Sequence, residues 1–153
     1  MDGQDLLNFK TWAVVGDVQN TDKWAYKILQ ALAMVGYRVY GVDPRGRQKE
    51  VYETNPHDKR DDSKAMASST LSVVVTSLKE LPEKVDVIDL VVNPLLGLKV
   101  LEEAAELEID KVLIQPGASS PEILEYCKAH GILVVESCAL VELKKAGRLG
   151  SPS

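Results

Sequence analysis

The chain has 153 residues, enough for one domain with a real core, and 45% of them are hydrophobic, which favours folding over disorder. A formal net charge of -5 with no long basic block argues against a nucleic-acid partner, because neutralising phosphates takes clustered Lys and Arg. Two cysteines, Cys127 and Cys138, are too few for a disulfide framework and lack metal-knuckle spacing. The acidic start is no secretory signal, and no apolar run approaches the roughly 20 residues that span a bilayer. The expectation is a reduced, cytoplasmic setting without membrane association.

In chain order, Leu6, Leu7 and Phe9 predict a short N-terminal helix. An apolar run, Trp12 to Val15, stops at Gly16 and predicts the first strand. Ile28, Leu29, Leu32, Ala33 and Val35 then make a helical face that Gly36 ends. Residues 37–42 give a second strand. Residues 45–69 are polar, charged and without periodicity, and read as a mobile loop inserted in the domain. Residues 71–75 predict a third strand. Ser77, with Glu80 three residues on, predicts a capping box on a short helix that Pro82 ends.

The almost uniformly apolar segment 85–92 predicts a strand covered on both faces, broken by Asn93-Pro94. Residues 95–107 read as a helix with Leu98, Val100, Leu101 and Ala105 inward. Residues 111–115 give the next strand, followed by a turn at Pro116-Gly117. Ser119 or Ser120 caps a helix with Pro121 at its first position, ending at Gly131. A last strand at 132–135, a terminal helix at 139–146 and a frayed end at 147–153 complete the chain. About six strands alternating with helices predict a single α/β domain over residues 1–153: a doubly wound, Rossmann-like parallel sheet in three layers, ordered 3-2-1-4-5-6.

Ligands of such sheets sit beyond the carboxyl ends of the strands, and four loops reach that edge. In the first, Gly16 permits a sharp turn and close approach of a diphosphate, although GDVQNT lacks the GxGxxG fingerprint. Thr21 or Asn20 caps the following helix in this reading, and Lys23 offers a point charge to a phosphate or is simply solvated. Asp17 opposes anion binding if it points inward. Asp43, 27 residues after Gly16, stands where an acid holds ribose hydroxyls in NAD-binding domains. Arg45 and Arg47 could instead grip a ribose phosphate through a guanidinium fork, and an Asp-Pro-Arg-Gly turn serving only backbone shape is as good a reading. Asn93-Pro94 and Gln115-Pro116-Gly117 place amides and open backbone at the other strand ends. Cys138 reads as a small buried hydrophobe or, near a helix start, as a thiol of lowered pKa, and His130 as a complement to a helix dipole. Trp12 and Trp24 are expected at the sheet edge and the helix start. No triad, metal cluster or paired-carboxylate site stands out.

Four stretches in order, AVVGDVQNTDKWAYKILQAL, GYRVYGVDP, TSLKELPEKVDVIDLVVNP and KVLIQPGASSPEILEYCKAHGILVVESC, resemble the CoA-binding domain family. The likeness covers residues 9–144 outside the insertion. The resemblance implies CoA lying across the first and fourth strand ends, with Gly16, Val18, Asn20 and Lys23 along the diphosphate. Asp43-Pro44 takes the place of the family's Asn-Pro turn. Val92, Asn93 and Pro94 border the adenine side, and Gln115 and Gly117 match a Gln-x-Gly turn. Asp17 stands where the family has a small residue.

The resulting expectation is a small protein that binds CoA or an acyl-CoA without catalysis of its own, for sensing, carriage or regulation. An NAD(P)-binding redox sensor or reductase fragment is the alternative that Asp43 favours. An interaction module without ligand is the one that Asp17 and the insertion favour. An exposed sheet edge leaves room for a homodimer.

Overall fold

The computed structural model describes residues 2–45, 50–52 and 72–148. Seven strands form one sheet: β1 (Thr11–Val15), β2 (Arg38–Val42), β3 (Glu50–Tyr52), β4 (Ser72–Val75), β5 (Val87–Leu90), β6 (Lys111–Ile114) and β7 (Leu133–Glu136). Their order is β3-β4-β2-β1-β5-β6-β7. All pairs are parallel except β3 with β4. The six parallel strands follow the expected order 3-2-1-4-5-6. The antiparallel edge strand β3 is a departure, because it falls in the segment read as a loop. Three residues are too few for alternation to announce a strand. Residues 46–49 and 53–69 of that insertion, with Arg47 and His57, lie outside the described residues.

Among the described residues five helices cover the sheet: α1 (Gly3–Leu6), α2 (Trp24–Val35), α3 (Pro94–Glu106), α4 (Pro121–Ala129) and α5 (Ala139–Lys145). Strand alternation splits the core in two. Ala13, Val15, Ile88, Leu90, Val112 and Ile114 pack with Leu101 of α3 and Ile123 of α4. Trp12, Val14, Val87 and Leu113 pack on the other face with Leu6 of α1, Ile28 and Leu32 of α2, and Leu143 of α5. The three layers follow, and so does the burial of every residue of β5, which has helices on both sides.

Trp12 is therefore at the centre of the core and not at a sheet edge. β1 lies between β2 and β5, and the indole is fully buried with its Nε1–H donating to Phe9 O at 2.9 Å. Gly36 ends α2 in a left-handed conformation, φ 108°, which an L side chain seldom adopts. Ser120, and not Ser119, caps α4 by accepting the Ile123 N–H. At the other end of that helix His130 Nδ1 lies 2.9 Å from Tyr126 O.

Ser77 does not cap the short 3-10 turn Leu78–Glu80. The carboxylate of Glu103, on α3, accepts the Leu78 and Lys79 N–H groups instead, while Glu80 turns back to Thr76. A partner 25 positions away cannot be read from local spacing. Cys127 belongs to the core, and burial pushes its thiol up to about 11. At the chain end, residues 147–148 are held: the Arg148 N–H donates to Leu143 O, and its guanidinium reaches the Tyr37 hydroxyl. Residues 149–153 lie outside the described set.

Candidate functional site

At the carboxyl ends of β1 and β5 the chain turns away into α2 and α3, and a cleft of about 240 Å³ opens between the two loops. Its lining is Asp17, Lys23, Trp24, Ala25, Arg45, Val91, Val92, Asn93 and Leu96.

Gly16 sets the floor. A Cβ built there would meet Ala25 Cβ at 2.9 Å and Val91 O at 3.0 Å, so only glycine lets β1, α2 and β5 converge this tightly. Its N–H continues the ladder to Val42 O, and its carbonyl accepts the Val18 N–H at 2.9 Å. The Val18 side chain turns back into the core, fully buried.

The helix that follows has no side-chain cap. Asn20 Oδ1 accepts the Asp22 N–H at 3.0 Å, shaping the loop rather than the helix. The N-cap position belongs to Lys23, in extended conformation and without a side-chain cap bond. The expected cap by Thr21 or Asn20 is therefore absent: the loop runs two residues further before the helix begins. The first-turn amides of α2 begin at the cleft wall, at Trp24 and Ala25, with the partial positive charge of a helix N-terminus behind them.

On the far side, Asn93 caps α3 by accepting the Leu96 N–H at 3.0 Å, and Pro94 takes the first helical position. The amide side chain is thus spent on its own helix. Val92 is buried at the back of the cleft, and Leu96 adds an apolar patch.

Asp43 follows β2 directly, with its side chain fully buried. Its Oδ1 accepts the Arg45 backbone N–H at 3.1 Å and pairs with Arg45 Nε at 3.2 Å. The Asp-Pro-Arg turn is thus closed by its own acid, with the buried charge compensated by the guanidinium. The same guanidinium presents Nη2 to Asp17 Oδ1 at 3.4 Å. Asp17 does point inward, and it shares the single Arg45 charge with Asp43. Its backbone position after Gly16 is legible in sequence, whereas the pairing across two loops is not.

Residues 10–144 match the model of the CoA binding domain. The chain belongs to that family. No curated protein matches it. Among solved structures, the family member is similar to a conserved hypothetical protein from Pyrococcus furiosus: 31% identity, 88% of this chain and 99% of that one, TM-score 0.67. A protein from Thermus thermophilus is 28% identical over 95% of this chain and 98% of its own, with a TM-score of 0.71. A hypothetical protein from Pyrococcus horikoshii, 22% identical over 95% and 92% with a TM-score of 0.72, shares the fold.

Within this CoA binding domain the residues singled out from sequence divide by position. Lys23, Val92 and Asn93 line the cleft, Gly16 lies beneath it, and Asn20, Pro44 and Pro94 sit in its bordering loops. Asp43 is buried under Arg45. Gln115 and Gly117 are one strand further along the edge, after β6, and are not part of the lining. Gln115 contributes its N–H to Leu90 O and accepts from Ala118 N–H, holding the turn together.

Ala25, Val91 and Leu96 were not anticipated as lining, whereas Trp24, expected at the helix start near the first loop, lines the cleft too. Trp24 is 56% exposed at the start of α2, so it faces the cleft mouth rather than packing. An indole directly after a lysine N-cap was the available signal. No group of three or more His, Cys, Asp or Glu arranged to hold a metal occurs among the described residues. No helix among them is long and apolar enough to cross a membrane.

Proposed function

We propose that this protein binds CoA or an acyl-CoA in the cleft between the β1–α2 and β5–α3 loops, as a non-catalytic cytoplasmic module for sensing, carriage or regulation. The observation that carries the reading is the uncapped N-terminus of α2 opening onto a cleft rimmed by Lys23 and Arg45, in a chain matched by the CoA binding domain model. Backbone donors and a helix dipole suit a diphosphate. Lys23 adds a point charge, and Arg45 keeps 40% of its side chain exposed beside the place a ribose phosphate would take.

A cavity that encloses a whole drug-sized ligand measures about 300–1,000 Å³. At about 240 Å³ this one suits the diphosphate and its neighbouring groups, with the remaining arms of CoA running out over Trp24 and the neighbouring loops. The lining groups bind and orient: a lysine, an arginine–aspartate pair, an indole and aliphatic side chains. The burial of Asp43 counts against NAD, because its carboxylate is engaged by Arg45 and is not offered to ribose hydroxyls.

Titration of CoA and acetyl-CoA with tryptophan fluorescence as readout tests the reading. Trp24 lines the cleft while Trp12 is buried, so the response should vanish in Trp24→Phe. Absence of any fluorescence or thermal-stability change with millimolar CoA would overturn it, and a response to NADH but not CoA would favour the dinucleotide instead.

A further inference from the structure

The cleft carries its own carboxylate where a phosphate would arrive. Asp17 follows Gly16 directly, lines the cleft, and has only 14% of its side chain exposed. It meets Arg45 through a long pair, Oδ1 to Nη2 at 3.4 Å. The other anchor of Arg45 is firmer. Asp43 is fully buried and takes both Nε, at 3.2 Å, and the backbone N–H, at 3.1 Å. The guanidinium is therefore fixed at its Nε side and exchangeable at Nη2. A guanidinium has five N–H donors, so Arg45 can keep Asp43 while turning Nη2 to another acceptor.

Resting on the reading of the cleft as a diphosphate site, we propose that Asp17 is a charge-selecting residue: a resident anion that a ligand's phosphate must displace from Arg45. Its field falls most heavily on phosphates that carry two negative charges. An internal diphosphate, esterified at both ends as in CoA, carries one charge on each phosphorus. A terminal phosphate, as in ADP, carries close to two. Like charges held a few ångströms apart in a partly desolvated cleft repel by an amount that scales with the product of the charges. The ligand class that follows is an internal phosphodiester-type diphosphate, selected against free nucleoside diphosphates of the same base.

The experiment is isothermal titration of wild type, Asp17→Asn and Asp17→Ser with dephospho-CoA and with ADP, at low and high salt. Two substitutions of different size keep the result independent of local packing. The expected result is that both variants tighten ADP by about tenfold and dephospho-CoA by only a few fold, with the difference shrinking at high salt. Equal changes for the two ligands, or weaker binding in the variants, would overturn the role of Asp17 while leaving the diphosphate site standing. Failure of wild type and both variants to bind CoA, dephospho-CoA and ADP alike would overturn the site reading itself, and the inference with it.

Discussion

Asp89 offers a stringent test of the packing described above. It lies in the middle of β5, between Val14 of β1 and Leu113 of β6 in register. Its side chain is fully buried, and neither carboxylate oxygen has a hydrogen-bond partner among the described residues. Desolvation of the charged form pushes its pKa from 3.8 up to about 8. The folded protein then keeps a proton that the unfolded chain gives up above pH 4. Between those two values the folded state binds more protons, so stability falls as pH rises, by roughly 1.4 kcal/mol per pH unit. Above pH 8 the loss levels off at roughly 6 kcal/mol, relative to a side chain that cannot ionise.

Asp89→Asn is that side chain: similar in shape, always neutral, and as unpartnered as the protonated acid. Glu83 and Glu142 are held below the usual carboxylate range, the first chiefly by its hydrogen bond from Tyr40 and the second by bonds from Ser137 and Gln4. They titrate below the window of interest and are common to both proteins, so the difference between the two stability profiles isolates Asp89. Chemical denaturation from pH 5 to pH 7.5 should give a gap of roughly 1.7 kcal/mol in favour of the variant at the acid end. That gap should widen to roughly 5 kcal/mol at the upper end, a growth of roughly 3 kcal/mol across the window that corresponds to on the order of 10 °C in Tm. Parallel profiles over that range would refute the reasoning, because they would mean that Asp89 is ionised in the folded protein or that the site admits solvent.

Three further outcomes follow from the same geometry. Gly16→Ala forces a methyl group to within 3.0 Å of Ala25 and the Val91 carbonyl, and should cost about 1–3 kcal/mol in urea denaturation and weaken CoA binding by prising the cleft walls apart. Asn93→Ala and Ser120→Ala each remove an N-cap acceptor, and each should lower stability by about 1 kcal/mol, additively, since they cap different helices. Leu101→Ala, at a fully buried position of α3, should cost about 2–5 kcal/mol in the same assay without altering the Trp24 response to ligand per folded molecule.

Alternating apolar runs, glycine stops and proline starts were enough to lay out the six parallel strands, their order and three layers of structure, because burial on both faces leaves its mark on every residue of a strand such as β5. Gly16, Gly36 and Pro121 likewise mark turns and helix ends through local backbone chemistry. What the tertiary structure alone decided depends on atoms far apart in the chain. Glu103 takes over a cap that Ser77 was positioned to make. Arg45 is shared by two acids, Asp43 beside it and Asp17 from the first loop, so its single charge bridges loops that lie far apart in the chain. Trp12 and Trp24, alike in composition, part company because one lies on a central strand and the other at the open end of a helix. Periodicity records which face of an element is covered, but a charge pair or an exposed ring is fixed only when separate loops meet in space.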